Sequence, residues 1–543
     1  MEARNDIDFY LSINFQINPK LKKAILAKAV ELTQKRTILK RSLFAPSGGP
    51  MKRLLFLFLA LSYLFEQPCF ASSAHPATIA DFSDLHTAPL YKFFQPATIS
   101  ELQEIVKTTR GPLSIAGSRF SQGGHIYTDR GTVIDITRLD QITFLDTQAK
   151  TITVQTGATW RKVQEYIDPY NLSVTVMQSY NNFTVGGSLS VNIHGRYLGY
   201  GPIISTVLAI NIILADGSLK TASRTENSDL FYAAIGGYGA LGVIVEVTLQ
   251  LTDNYPMERD AILLPFSDYP HYFKTIIKPN PAAVMHNADL FPPHYNTVEC
   301  VTWYKTDKTP TITERLQSQR SRIFTNYSKM ATAKRFPVSQ RIRPAKIAKI
   351  NSLSPQTIAW RNYEASYSTE DLYFPKWFSV SLLQEFFIPV DQLLPFLSSM
   401  RTIFEEHEIN VLNVSLRHVT PNNESLLSWS TKESFAVVIF YDQWRMASSL
   451  QNADLCFKRL IQTALAAGGT YYLPYRLSAT QEQFNLAYPR ASLFWEVKEK
   501  YDPPIPARCT RAICHDIKRP IKIRHDVDLQ GKFTSEFLKT YFH

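Results

Sequence analysis

The sequence predicts an α+β protein built in two lobes, and three observations point there. At 543 residues the chain exceeds the size at which one hydrophobic core keeps growing, so a division into lobes is expected. Residues 89–251 read as short strands and turns with helices between them. From about residue 253 the texture changes to longer mixed segments, and the later ones run β-α-β-β-α, an order that suits an antiparallel sheet covered by helices.

In the first lobe, "TISELQEIVKTT" places Leu102, Ile105 and Val106 on one helical face before the Gly111-Pro112 break. "LSIAGS", "GTVIDIT" and "TITVQTGA" are short β-rich runs bounded by turn residues, and "TWRKVQEYID" is a second amphipathic helix. "VLAINIILADGSLKTAS" reads as a hairpin around Asp216-Gly217, and "NSDLFYAAI" as a capped helix. In the second lobe, strands are expected at "SVSLLQEFFIPV", "INVLNVSLRHV" and "SFAVVIFYDQW", with helices at "DQLLPFLSSMRTIFEEHE" and "QNADLCFKRLIQTALAAGG". "AKRFPVSQRIRPAKIAKI" is basic and broken by proline, and reads as a surface loop.

Composition excludes some functions. The formal net charge is +11, but eleven of the 58 Lys and Arg and only four of the 47 Asp and Glu fall in residues 1–53. The remainder carries an excess of four, an ordinary surface that gives no support for nucleic-acid binding. Met51-Lys52-Arg53, the apolar run Leu54 to Phe65 and the small residues of "EQPCFASSA", with a cut after Ala71, have the layout of a secretory signal peptide. That run is too short to span a bilayer comfortably, so no stable membrane span is expected. The reading is export to a periplasm or the exterior from a start at Met51, with residues 1–50 a basic extension or an untranslated leader. Cys300, Cys456, Cys509 and Cys514 would remain after cleavage, and their spacing assigns no pairing. Cys509-x4-Cys514-His515 lacks a second ligand pair, so no metal is expected.

Three glycine clusters carry the chemistry. "AIGGYGALGVIVEVTLQL" contains Gly237, Gly239 and Gly242 in a G-x-G-x-x-G spacing, with Asp260 beyond it. A nicotinamide site needs a strand before such glycines and a helix after them, because the helix N-terminus binds the pyrophosphate. Here a helix precedes and an alternating strand follows, so the fingerprint fails and Asp260 has no role. "SIAGSRFSQGGH" (114–125) and "SYNNFTVGGSLSVNIHGRYLGYGP" (179–202) are the other two. Tight glycine turns bring backbone N–H groups close to a pyrophosphate or a flavin edge.

With "PLSIAGSRFSQGG", "GTVIDITRL", "ITVQTGATWRKVQEYI", "FTVGGSLSVNIHG", "LADGSL" and "DLFYAAIGGYGALGVIVEVTL", the chain resembles FAD-binding oxidoreductases of the vanillyl-alcohol oxidase and p-cresol methylhydroxylase type. The resemblance covers residues 89–251 and extends more weakly to about 503. It implies a PCMH-type FAD-binding domain at 76–252, a substrate or cap domain at 253–480, and a segment at 481–543 that returns to the FAD domain. It implies FAD contacts from Ala116, Gly117, Ser118, Arg119, Phe120, Ser121, Thr184, Gly187, His194, Gly195, Val243 and Ile244. Many relatives attach flavin to a histidine where this chain has Phe120, and some to a cysteine where it has Asn182, so noncovalent FAD is implied. His125, five residues past that position, is set aside as a link.

"GGTYYLPYRLSATQEQFNLAYPRASLFWEVKEKYDP" is similar to the closing segment of decaprenylphosphoryl-ribose oxidases and sugar-lactone oxidases, which makes Tyr472 a flavin-side residue. The former carry a lysine where this chain has Tyr475, and the His-Trp-Gly-Lys signature of the latter is absent. "LLQEFFIPV" resembles the Glu-aromatic-x-x-Pro strand of aldonolactone and alditol oxidases, and "VSLRH" their following strand with an arginine. Alcohol oxidation needs a base for the hydroxyl proton and profits from a nearby cation, so Glu385 and Arg417 are the catalytic candidates, with Gln384 and His418 as second choices. The competing reading is a strand-to-strand ion pair. After Asp502-Pro503 an insert at 504–531 departs from the family pattern.

The implied activity is oxidation of a sugar, polyol or aldonolactone-like alcohol, with oxygen or another acceptor taking the electrons. The alternatives are flavin-dependent chemistry at a carbon–carbon bond, or a flavin-binding protein without catalysis.

Overall fold

The computed structural model describes residues 78–85, 87–318, 356–369, 376, 379–503 and 532–541. The expected signal peptide, the segment 333–350 and the insert 504–531 lie outside the described residues, as do Cys509 and Cys514. Cys300 and Cys456 are buried free thiols.

A short hairpin, β1 (Thr78–Ala80) and β2 (Thr87–Pro89), precedes a three-stranded parallel sheet of β3 (Lys92–Phe94), β4 (Leu113–Ala116) and β5 (Thr132–Asp135), with β5 in the middle. Helix α1 (Ile99–Thr108) provides the crossover that parallel strands require. The Thr98 hydroxyl accepts from the Glu101 N–H at its start, and Leu102 and Val106 are buried on its inner face, with Ile105 half-buried beside them.

The second sheet is antiparallel. It holds β6 (Ile142–Asp146), β7 (Thr151–Gln155), β8 (Leu172–Val174), β9 (Val207–Ile213), β10 (Leu219–Ser223) and β11 (Val243–Asp253). Its order is β10-β9-β11-β7-β6, with β8 joining the far end of β11. The β9–β10 hairpin turns at Gly217, whose φ of +83° suits glycine. Helices α2 (Trp160–Ile167) and α3 (Val185–Ser190) are capped by Thr159 and Thr184. Helix α4 (Ser228–Ala234) differs from the expected capped helix: Asn227 is left-handed, and its amide donates to the Thr221 carbonyl at 2.7 Å, so it closes the hairpin instead of the helix.

The third sheet has eight antiparallel strands: β12 (Pro256–Pro265), β13 (Ala283–Leu290), β14 (Thr297–Lys305), β15 (Ile358–Trp360), β16 (Ser379–Pro389), β17 (Asn410–Val419), β18 (Ser434–Trp444) and β19 (Thr470–Tyr471). They are ordered β15-β12-β14-β13-β17-β18-β16-β19. Helices α5 (Leu393–Glu406) and α6 (Ala447–Ala466) cover one face, where Phe386 meets Phe396 and Tyr441 meets Phe457. Because strand side chains alternate, the opposite face carries Ser381, Leu383 and Glu385 from β16, Val438 and Phe440 from β18, and Asn413, Ser415 and Arg417 from β17. The mixture of helices and largely antiparallel sheets is an α+β architecture.

The chain then runs through α7 (Gln481–Ala487) and α8 (Ala491–Tyr501), and residues 532–541, ending in α9 (Glu536–Tyr541), pack beside β4. The Leu113 N–H donates to the Lys532 carbonyl, and the Thr534 N–H to the Leu113 carbonyl. Lys498 and Asp502 form a buried ion pair at 2.5 Å, and the Asp502 carboxylate also accepts from the N–H groups of Lys532 and Phe533. The Lys498 ammonium donates in addition to the Ala240 carbonyl at 2.7 Å, which ties this staple to a glycine turn.

Candidate functional site

All three large sheets contribute to one cavity of about 340 Å³, and residues of all three glycine clusters line it. The first turn, residues 117–122, follows β4. A Cβ at Gly117 would lie 2.2 Å from the Thr184 hydroxyl, so only glycine lets the two turns approach. Ser118 donates to the Asn182 carbonyl at 2.9 Å, and Arg119, left-handed at φ 62°, pairs with Asp135 at 2.7 Å. Phe120 stacks on Phe183 with ring centres 4.2 Å apart. In the third cluster Gly239, Ala240, Leu241 and Gly242 all line the cavity. At Gly242, φ is +155°, and a Cβ would meet the Ile213 carbonyl oxygen at 2.3 Å.

Glu385, which lines the same cavity from the third sheet, is 2 % exposed. Its Oε1 lies 2.5 Å from His194 Nε2, and its Oε2 accepts from the Tyr475 hydroxyl at 3.2 Å. The Tyr472 N–H donates to the Glu385 carbonyl at 3.0 Å, and the Tyr472 hydroxyl to the Val191 carbonyl at 2.8 Å. The His194 ring packs against Phe387, Trp429 and Tyr472. Burial first, and the Glu385 carboxylate second, raise the Tyr238 and Tyr475 hydroxyls well above the usual phenol range, so both stay protonated donors. Burial likewise raises Tyr472, helped by neighbouring Tyr238 and by Glu385. Arg417 forms no ion pair with Glu385, and its Nε is buried without a partner.

Gly117, Ser118, Arg119, Phe120, Ser121, Thr184, Gly187, His194, Ile244, Tyr472, Glu385 and Arg417 line this cavity together. Five expected site residues do not. Gln384 and His418 point to the helix-covered face because β16 and β17 alternate there; His418 bonds Glu433 at 2.7 Å and packs on Phe273. Val243 belongs to the core beneath α1, and Ala116 to the core under the first hairpin. Gly195 is closed in by the Met177 carbonyl and the Tyr197 ring. Sequence reading missed Gln122, Gln178, Ser179, Tyr180, Tyr238 and Tyr475, which also line the cavity. Period-two alternation around Glu385 was the signal that could have added Ser381 and Leu383; Tyr475 was marked only by standing where the similar oxidases carry a lysine.

The residues fit a flavin dinucleotide. Glycines stand where any side chain would close the turns, and Ser121 Oγ, Ser179 Oγ, His125 Nδ1 and Arg417 Nε are buried polar atoms of lining residues without a protein partner. His125 Nε2 bonds the Leu473 carbonyl at 2.9 Å, and burial lowers its pKa to about 3, leaving a neutral ring. Phe120 and Asn182 offer no nucleophile for attachment. Among the described residues there is no cluster suited to a metal, and no helix is long and apolar enough to cross a membrane.

Comparison with known proteins agrees with this geometry. Residues 92–223 match the FAD binding domain family, which supports FAD as the cofactor. The chain is 25% identical to mitochondrial L-galactono-1,4-lactone dehydrogenase from Arabidopsis thaliana over 41% of its own length and 37% of that enzyme. It is 21% identical to L-gulonolactone oxidase from Mus musculus over 76% of its length and 92% of the relative. An FAD-dependent monooxygenase from Arthrobotrys oligospora is 32% identical over 29% of this chain and 32% of its own. The match thus spans just over a third of the plant dehydrogenase and nearly all of the mouse oxidase. The resemblance to sugar-lactone oxidoreductases noted in the sequence is real.

Proposed function

We propose that this protein oxidises an alcohol carbon of a sugar, polyol or aldonolactone-like substrate, with noncovalent FAD. The observation that carries the reading is the placement of Glu385 and Arg417 on one face of the third sheet, lining the same cavity as the glycine turns. Bound flavin supplies a two-electron acceptor for the hydride leaving the alcohol carbon. Glu385 takes the hydroxyl proton, and its contact with His194 orients the carboxylate. Arg417 holds the substrate oxygen as it gains negative charge, in a site where apolar Leu383, Val438 and Phe440 limit water. The relatives named for lactones support a lactone or a related polyol as substrate. The electrons pass on to oxygen or another acceptor.

In this reading residues 76–252 are the FAD lobe, 253–480 the substrate lobe and 481–543 the return. Export after cleavage near Ala71 belongs to the same proposal, and N-terminal sequencing that finds a retained Met1 would refute it. The central test is anaerobic mixing of the holoenzyme with lactones and polyols. Bleaching of the flavin bands is expected. Bleaching by none of them, or only by NADPH or a lipid, would overturn the substrate class. Acid denaturation should free all flavin from the chain.

A further inference from the structure

We propose that Tyr475 is the positioning residue that fixes Glu385 for proton removal, an inference that rests on Glu385 being the base. Tyr475 ends a four-residue segment anchored at each step. The Tyr472 N–H holds the Glu385 carbonyl, Leu473 offers its carbonyl to His125 Nε2 at 2.9 Å, and Pro474 accepts from the Gln122 N–H at 3.0 Å. A Cβ at Gly123 would meet the Tyr475 carbonyl oxygen at 2.3 Å, so the first glycine turn lies directly against this segment. Gln122 Oε1 also accepts from the Leu383 N–H at 3.0 Å, two residues before Glu385. The same turn therefore sets both the strand that carries Glu385 and the backbone that carries Tyr475.

The two carboxylate oxygens have different partners. His194 engages Oε1, and the Tyr475 hydroxyl donates to Oε2. With one oxygen held, a carboxylate still turns about that contact; with both held, its remaining lone pairs keep one direction toward the cavity. The Tyr475 ring meets Tyr472 edge-on at 5.8 Å, which restrains the phenol from the other side. Burial and the adjacent carboxylate keep that phenol protonated, so it remains a donor. When the substrate O–H bond breaks, its proton goes to Glu385 and the C–H electron pair leaves as hydride to FAD; Tyr475 keeps its own proton throughout.

The test compares wild-type, Tyr475→Phe and Tyr475→Gln holoenzymes, with L-galactono-1,4-lactone as the substrate probe. Tyr475→Phe should retain flavin and its melting temperature, lose roughly tenfold in kcat with KM within about twofold, and move the acid limb of kcat/KM to higher pH. Tyr475→Gln, which keeps a donor, should recover part of the loss. A purely structural tyrosine would move neither kcat nor the acid limb in Tyr475→Phe, and that result overturns the proposal. A second readout needs no substrate: infrared difference spectra against Glu385→Gln isolate the Glu385 carboxylate bands, which should shift in Tyr475→Phe. Unchanged bands overturn the positioning role even if the wild-type protein turns over no lactone, and that lack of turnover counts separately against the proposed function.

Discussion

His194 Nε2 and Glu385 Oε1 meet at 2.5 Å although 191 residues separate them in the chain. The histidine comes from the glycine-rich segment between α3 and β9, and the glutamate from the middle of β16. Each side chain is 3 % exposed, so water contributes almost nothing to their hydrogen bonding. A buried carboxylate without donors costs several kcal/mol, on the order expected for an unsatisfied charge, and this contact helps make Glu385 tolerable in the core.

Glu385→Gln keeps the volume and removes the base. Turnover should fall at least about 100-fold while FAD stays bound, read by steady-state kinetics beside the flavin absorbance. Unchanged turnover would remove Glu385 from the mechanism.

Gly242→Ala should weaken FAD binding and stability together. The added methyl meets a backbone oxygen at 2.3 Å, where no side chain can yield, and the residue already occupies a φ of +155°. A cost of about 1–3 kcal/mol is expected, read as a lower melting temperature and a reduced flavin-to-protein ratio.

Lys498→Met breaks a buried pair and strands the Asp502 carboxylate. The expected loss is about 3–5 kcal/mol by thermal or denaturant unfolding. Because Lys498 also holds the Ala240 carbonyl at the cavity wall, flavin should dissociate more readily than in a surface-lysine control.

Stability should fall as pH drops below about 6.5. Burial lowers the pKa of His125 and of His286 from 6.5 to about 3, aided at His286 by the nearby His418. The unfolded chain therefore binds these protons first, so the contribution is complete above pH 6.5 and is lost as pH falls toward 3. Each histidine adds a slope of up to about 1.4 kcal/mol per pH unit within that window. His286→Gln should flatten the pH dependence of the melting temperature between pH 6 and 4, roughly halving it if these two residues dominate.

Local sequence was informative where a residue's role depends on its neighbours in the chain. The alternation of "SLLQEFF" and "VSLRH" predicted the strands, and the glycine turns were visible as turns. Pattern did not reveal which strand face meets the cavity. Glu385 and Gln384 are adjacent and both were candidates, yet the helices α5 and α6 claim the even positions of β16 and leave Glu385 to the site.

The sequence by itself determined the α+β class, the order of helix, glycines and strand that excludes a nicotinamide fingerprint, and a flavin-type set of turns. The class and that order follow from short-range sterics and periodicity, which act within a few residues; the flavin reading of the turns rests on their resemblance to FAD-binding oxidoreductases. Only the tertiary structure decided that the glycines 239–242 themselves line the cavity while Val243 packs in the core, and that His194, Glu385 and Tyr475 converge. That convergence depends on sheet register and on the return of the chain at residues 472–475. Both are set by hydrogen bonds between distant segments, and no local spacing encodes them.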